Sequence, residues 1–402
     1  MAEHKTFDVV VVGGGPAGST AAERAARAGF SVLLLDKAGR IKPCGGAIPP
    51  RLIRDFEIPA HVLVAKVRSA RMFSPSARRV DMPIEGGFVG MVDRQDFDEW
   101  LRQRAVQCGA ERRQGHFLRI ARGGNGHAIV RYAVKAEGSI QPHEVQVSAR
   151  TVIGADGALS AVARQAVPGG GRVPYVFAYH EIIESPSARN EAAEFDPVRA
   201  DIYYNGDLSP DFYAWVFPHG SCASVGVGSA VKGFSLRTAV ADLRQASGLA
   251  ACRTIRTEGA PIPLKPLKRW DNGNDIVLAG DAAGVVAPAS GEGLYYAMVG
   301  GRLAAEAVCE RLATGQAHAL AGARKRFMKE HGRVFWVLGM MQYFWYANDK
   351  RRERFVSICR DKDVQKLTWD AYMNKRLVRA RPAAHAKIFI KDLAHLCGLV
   401  PP

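Results

Sequence analysis

Three glycines, Gly13, Gly15 and Gly18, stand at G-x-G-x-x-G spacing directly after four valines and before an alanine-rich stretch, with Pro16 and Ala17 inside the turn. Glycines so spaced permit a tight turn, the approach of a pyrophosphate to backbone N–H groups at a helix N-terminus, and close packing of that helix. Asp36, 18 residues beyond Gly18, ends the strand-like run LLLD, where a carboxylate can accept hydrogen bonds from an adenosine ribose. The chemistry expected of this set is dinucleotide binding. Two further strand-end turns carry an aspartate beside a glycine, Asp156-Gly157 in GADG and Gly280-Asp281 in LAGDAAG, and Pro288, Gly291 and Gly293 precede a helical pattern. In RIKPCGGAIPP, residues 40–50, the thiol of Cys44 sits in a run that can form neither helix nor ladder; a metal, a disulfide partner, a substrate or a cofactor could face it. In PDFYAWVFP, residues 210–218, Tyr213, Trp215 and Phe217 fall at period two and project from one face of a strand. Three aromatics so placed could line an apolar groove or fill a sheet core.

The seven cysteines, at 44, 108, 222, 252, 309, 359 and 397, are odd in number and scattered, with no C-x-x-C pair and no Cys/His cluster at zinc spacing. No metal site and no disulfide framework is expected, and the thiols fit a reducing, cytoplasmic setting. The opening MAEHKTFDVVVVGGG leaves no room for a secretion signal, and the apolar stretch 334–347 is shorter than the roughly 20 residues a transmembrane helix needs.

The elements that must position these residues follow from pattern. Residues 7–37 read as strand, Gly-rich turn, helix, strand, a βαβ unit. Alternating strands from 117 to 153, broken by a Gly-Gly-Asn-Gly turn, read as a meander that returns to the first sheet at TVIGADG. Strands dominate again from about 172 to 265, where GVGSAVKG lies in strand alternation and is sheet, not a second dinucleotide turn. DIVLAGDAAG restores a buried strand, and residues beyond 320 read as helical. The expected architecture is α/β: a Rossmann-type dinucleotide-binding domain over 1–171 and 266–320, an antiparallel-sheet domain over 172–265, and a helical C-terminal region over 321–402.

The formal charge is +16, from 55 Lys/Arg and 39 Asp/Glu. From Ala321 onward there are 18 basic and 7 acidic residues, with 11 of the chain's 34 aromatics. Basic charge beside clustered aromatics suits an anionic membrane surface; a helical subdomain whose aromatics are core carries equal weight. No recognition motif supports nucleic acid as a partner.

GGGPAG, ADG and AGDAA together resemble the flavoprotein hydroxylase and reductase superfamily. That resemblance implies FAD, with Asp281 on the ribityl chain and Asp156-Gly157 near the pyrophosphate. It adds Arg94 of VDRQDFDEWL on the cofactor, and Lys37, Arg40, Cys44, Gly45 and Gly46 on the segment after Asp36. Pro288 to Gly293 would wall the isoalloxazine, and the following helix N-terminus would stabilise negative charge on the reduced ring. P-x-x-Y-x-W-x-F-P, complete here as Pro210, Tyr213, Trp215, Phe217 and Pro218, is the motif of the geranylgeranyl reductase family, in which it contacts the isoprenoid. KPCGGAIPPRLI and EGGFVGMVDRQDFD are similar to the branch acting on chlorophyll and bacteriochlorophyll tails, closer to the bacteriochlorophyll enzyme. The resemblance implies stepwise saturation of three C=C bonds of a geranylgeranyl group to phytyl, with NADPH visiting as electron donor without a Rossmann domain of its own. The group would be carried on the pigment or on the diphosphate. Cys44 or an ordered water would supply the proton. Implied partners are the prenylated pigment or diphosphate, the photosynthetic membrane surface, and pigment-synthesis or assembly proteins. An FAD monooxygenase of the aromatic hydroxylase type, a reductase of another prenyl lipid, and a pigment-binding partner without turnover are the alternatives.

Overall fold

The computed structural model describes residues 5–37, 42, 44–124, 126–135, 141–186 and 194–375. Four successive valines, stiff at χ1 and apolar on both faces, make Thr6–Val12 a central strand; Val9, Val10 and Val11 are fully buried. It pairs in parallel with Val32–Asp36 on one side and with His143–Gly154 on the other, and the helix Pro16–Arg27 is the crossover. Sheet order runs Glu111–Gln114, Val32–Asp36, Thr6–Val12, His143–Gly154, Ala128–Val134, His116–Arg122, with Ile276–Leu278 also beside His143–Gly154. His143–Gly154 therefore belongs to two patterns. Much of it continues the antiparallel meander, while its C-terminal part runs parallel to Thr6–Val12 and Ile276–Leu278. The expected return of the meander at TVIGADG is this strand.

The second large sheet runs Thr254–Pro263, Tyr175–Glu184, Cys222–Ser229, Ala214–His219, Arg199–Tyr203, Ser69–Phe73, Arg79–Pro83. One of its faces is aliphatic: Ile183, Ala214, Val216, Ala223, Val225 and Val227 pack on Ala239, Val240 and Leu243 of the helix Leu236–Ala246. Ser235 caps that helix by accepting from the Thr238 N–H. Each of the large aliphatic side chains here stabilises the fold by roughly 1.5–3 kcal/mol. The glycine-rich run from 226 begins on Cys222–Ser229, as strand alternation requires. A small third sheet joins Ala47–Ile48, Val89–Met91 and Ala65–Val67.

The chain gathers into two units, each of three segments. One comprises the chain up to Ile41, Gln95–Tyr175 and Pro261–Gly332; the other comprises Lys42–Arg94, Val176–Ala260 and the chain from Arg333. Helices Gly322–Trp345, Asp349–Ile358 and Lys362–Asn374 occupy the C-terminal region; the part of the helical expectation beyond residue 375 lies outside the described residues. The last two of these helices are tied to the rest of the second unit. Arg352, buried, donates to the carbonyls of Pro210 and Tyr346. Glu353 accepts from the hydroxyls of Ser74 and Ser76, and Arg51 donates to the Asn374 carbonyl at 2.8 Å.

Candidate functional site

In the first unit, the three glycines of the opening turn differ in what surrounds them. Gly13 has φ +108°, and a Cβ there would lie 2.4 Å from the Ala155 carbonyl oxygen. At Gly18 a Cβ would fall 1.8 Å from the Gly13 oxygen. Gly15, which caps the helix Pro16–Arg27, has nothing within 4 Å of that position. Two glycines thus close the turn and bring the helix onto it, and the third leaves open space at a helix N-terminus. That combination fits a dinucleotide pyrophosphate.

Asp36 ends Val32–Asp36 beside this turn, with Arg102 at 3.5 Å and Arg112 at 3.9 Å from its carboxylate. Arg102 also donates to the Gly14 carbonyl at 3.1 Å. Glu99 accepts both Nη groups of Arg112, at 2.7 and 3.0 Å, and the Nε of Arg102 at 2.9 Å. The Arg112 hydrogen bonds, with help from Arg102, hold the Glu99 carboxyl down at about 2. Sequence reasoning missed Glu99, Arg102 and Arg112. Arg112 sits on Glu111–Gln114, whose sequence ERRQ has no apolar alternation and which is a strand through its pairing with Leu33–Asp36. Lys37 is exposed, and Arg40 lies outside the described residues.

Asp156 follows the strand His143–Gly154, and its carboxylate is spent on capping. It accepts from the Ser160 hydroxyl and from the N–H groups of Ala161 and Val162, at 2.6 and 3.2 Å, at the start of the helix Ala161–Ala166. Burial pushes its carboxyl up despite these bonds. What this segment brings to the glycine turn is backbone, the Ala155 carbonyl against Gly13; Gly157 turns away in the left-handed region, φ +86°. Gly280, φ +62°, places its Cα against Ala17, where a Cβ would be 2.6 Å from the Ala17 Cβ, and Asp281 is buried in the next position. Gly291 donates to the Ala287 carbonyl at 2.9 Å and Ala287 to the Glu292 carbonyl at 3.0 Å, closing a turn around Pro288. Gly293 then caps the 21-residue helix Leu294–Thr314, and Glu292 accepts from the Tyr295 N–H at 2.9 Å in its first turn. The glycine turn, Asp36, Ala155 to Gly157 and Gly280-Asp281 all fall at the C-terminal ends of the parallel strands, the end at which open α/β sheets bind ligands.

In the second unit, Trp215 and Phe217 lie on Ala214–His219 and Tyr213 immediately precedes it. Ring centroids are 5.9 Å apart for Tyr213 and Trp215 and 6.1 Å for Trp215 and Phe217, so the three form one continuous row. Alternation puts Trp215 and Phe217 on the face opposite Ala214 and Val216, away from the helix Leu236–Ala246. Pro218 is buried at the end of the row. Gly226, directly across from Trp215, could not carry a side chain: its Cβ would meet the indole at 2.3 Å.

The Cys44 loop packs on this strand. A Cβ on Gly45 would lie 2.8 Å from the Phe217 ring, and one on Gly46 would lie 2.5 Å from His219 Nε2. The positions that side chains would take at these two glycines are filled by Phe217 and His219, so both must be glycine for the loop to lie on this strand. The half-buried Cys44 Sγ accepts from the Gly46 N–H at 3.4 Å. His219 Nδ1 lies 3.1 Å from the Phe217 carbonyl, and burial pushes this imidazole down to about 4. Arg94, buried, opens the helix Arg94–Gln107, next to Asp93, which accepts from Arg256 at 2.7 Å.

Family models match two stretches: pyridine nucleotide-disulphide oxidoreductase over residues 7–185 and lycopene cyclase protein over residues 229–387. The chain is 59% identical to a geranylgeranyl diphosphate reductase of Rhodobacter capsulatus, over 98% of this chain and 99% of that protein. Its fold matches a geranylgeranyl bacteriochlorophyll reductase-like protein of Thermoplasma acidophilum at TM-score 0.80 and 24% identity, over 96% and 99% of the two chains. It also matches a flavin-dependent brominase at TM-score 0.73 and 18% identity, over 98% of this chain and all of the other. The α/β flavoprotein fold expected from the motifs is therefore the fold observed, and the complete P-x-x-Y-x-W-x-F-P row agrees with the closely similar sequence: this chain belongs to the geranylgeranyl reductase family of FAD-dependent oxidoreductases.

Proposed function

We propose that the enzyme uses NADPH to saturate three of the four C=C bonds of a geranylgeranyl group, one after another, giving phytyl. The group is carried on bacteriochlorophyll, as part of (bacterio)chlorophyll synthesis, or on the free diphosphate. The observation that carries this reading is the aromatic row Tyr213, Trp215, Phe217 on the sheet face away from the aliphatic core. A row of rings without charge lets a branched polyene slide by one isoprene unit between reductions. Bound FAD supplies hydride transfer between NADPH and an alkene carbon. Gly13, Gly15 and Gly18 would hold its pyrophosphate, Asp36 its adenosine ribose and Asp281 its ribityl chain, with Arg94, Asp156-Gly157 and the Pro288 to Gly293 turn as further contacts.

An unactivated trisubstituted alkene accepts hydride poorly, so proton delivery to the second carbon must be well advanced, and the alkene must be held in one orientation. Cys44 is the residue we assign to that proton: its loop rests on Phe217 at the end of the row, and the Gly46 N–H fixes its sulfur. The Gly-x-Gly turn before Leu294–Thr314 directs a helix N-terminus where negative charge is favoured.

We place the enzyme at a membrane surface. Among the described residues no helix is long and apolar enough to cross a membrane. On Gly322–Trp345, however, Trp336, Met340 and Tyr343 are 65%, 50% and 84% exposed at i, i+4, i+7 spacing, with Arg333 on the same stripe.

The test is anaerobic incubation of the FAD-loaded enzyme with NADPH and either geranylgeranyl-bacteriochlorophyll or geranylgeranyl diphosphate, with mass analysis of the tail. Products heavier by two, four and six hydrogens are expected in sequence. A strict requirement for oxygen would replace this reading with a monooxygenase, and the substrate arm that stays unreduced is removed from the proposal.

A further inference from the structure

Beside the aromatic row runs a polar chain that the motifs touch only at Trp215 and Asp93, buried at His180 and Ser224 and half-buried at Glu258, Arg256 and Asp93. His180 on Tyr175–Glu184, Gly226 on Cys222–Ser229 and Trp215 on Ala214–His219 stand in register across three neighbouring strands. Because Gly226 has no side chain, the indole lies across the middle strand and meets groups from its far side. Trp215 Nε1 donates to Ser224 Oγ at 3.0 Å, and Ser224 Oγ lies 2.8 Å from His180 Nδ1. His180 Nε2 lies 2.7 Å from Glu258 Oε2 on the outer strand. Arg256 Nε donates to the other Glu258 oxygen at 2.8 Å, and its Nη2 donates to Asp93 at 2.7 Å. The chain is satisfied when the Ser224 hydroxyl donates to Nδ1 and His180 donates from Nε2 to Glu258. His180 and Ser224 are buried.

An aliphatic residue at 180 would fill a sheet face equally well, and a phenylalanine at 215 would keep an aromatic row. A neutral indole N–H needs one acceptor; here that acceptor is itself held by an imidazole, a carboxylate, a guanidinium and a second carboxylate in turn. The consequence of such a chain is that the Trp215 ring has one orientation, since rotating it strands a buried donor. Successive reductions on one tail need the same groove shape for each isoprene unit, so a fixed ring serves them and a loose one does not.

We propose that Ser224, His180, Glu258, Arg256 and Asp93 are positioning residues that lock Trp215 for isoprenoid binding and thereby set how completely the tail is reduced before release. This rests on the aromatic row being the isoprenoid site. The test measures binding of geranylgeranyl diphosphate to the oxidised, FAD-loaded enzyme without NADPH, together with the ratio of partly to fully reduced product in turnover. Trp215→Phe and His180→Leu are each expected to weaken binding about three- to tenfold, the scale of one buried hydrogen bond, and to raise the share of partly reduced tails. The double variant should be no weaker than Trp215→Phe alone, because both changes break the same chain. His180→Gln, which can still bridge donor and acceptor, should restore most of the loss. Wild-type binding and product ratio in His180→Leu while Trp215→Phe is impaired, or effects that multiply in the double variant, overturn the positioning role and leave the row as the isoprenoid site. Unchanged binding in both Trp215→Phe and Trp215→Ala overturns the row itself. If His180→Leu does not fold, Ser224→Ala takes its place: it removes one hydroxyl from the middle of the chain, should weaken binding and shift the product ratio in the same way, and overturns the positioning role if it does neither.

Discussion

At the scale of single residues, the glycine motif separates into positions that serve the fold and one that serves a ligand. Gly18→Ala drives a methyl to within 1.8 Å of the Gly13 oxygen and should yield protein that neither folds stably nor retains flavin. Gly15→Ala meets nothing within 4 Å, so the apoprotein should melt within a few degrees of wild type. Its FAD affinity should fall about tenfold or more, because the methyl fills the pyrophosphate's approach. Equal flavin affinity in Gly15→Ala, measured by fluorescence titration, would remove that turn from the cofactor site. Cys44→Ser keeps the shape of the loop but replaces a thiol by a far weaker acid. Turnover should drop at least about tenfold with FAD binding intact; near-normal turnover would leave Cys44 a packing role. G-x-G-x-x-G was legible because its spacing is a local pattern between a valine strand and a helix, although only Gly18 meets its steric limit nearby, at the Gly13 carbonyl, and Gly13 meets Ala155 from far along the chain. Glu99, Arg102 and Arg112 were not, because their grouping depends on a short charged strand joining the sheet edge.

Among the elements, the strand Ala214–His219 shows where sequence pattern succeeds and stops. Period two placed Trp215 and Phe217 on one face, and the aliphatic cluster of Ala214 and Val216 fixes which face it is. Spacing alone favoured core over groove, since alternation does not reveal where the helix packs, and only the family resemblance pointed to the groove. The polar chain behind Trp215 was invisible for a related reason: its members come from four separated stretches and meet only through register. One available clue was the alternate glycines of GVGS beside an aromatic strand, a pattern that marks rings lying across backbone. His219, at the end of the same strand, makes this element sensitive to acid. Its imidazole titrates at about 4 when folded and near 6.5 when free, so below about 6.5 the unfolded chain binds a proton that the native chain refuses. Stability should fall as pH drops from about 6.5 to 4, by up to about 3 kcal/mol from this group. His219→Gln should flatten that segment of the urea-unfolding profile; an unchanged slope would show that another group causes it.

For the whole molecule, charge and exposed aromatics bear on where the enzyme works. In the proposed membrane docking, the +16 charge of the chain would supply the electrostatic attraction and the exposed stripe Trp336, Met340, Tyr343 an apolar contact. Replacing all three by serine should lower co-sedimentation with anionic vesicles about fivefold or more, with a melting temperature near that of wild type because the side chains are largely exposed. Unchanged sedimentation would sink the membrane assignment. Point substitutions are the right tool here, since removing the C-terminal helices would also remove Arg352 from the Pro210 carbonyl and Glu353 from Ser74 and Ser76.

The buried guanidinium of Arg352 also has a temporal meaning. Pro210 leaves the ribosome some 140 residues ahead of the side chain that grips its carbonyl, and each of the two units draws its last segment from beyond residue 260. A growing chain therefore holds an exposed run of Tyr213, Trp215 and Phe217 without its clamp through about a third of its synthesis. Any stall or premature stop in that interval releases a chain in which the row that the folded unit buries at Tyr213 and Trp215 is left uncovered.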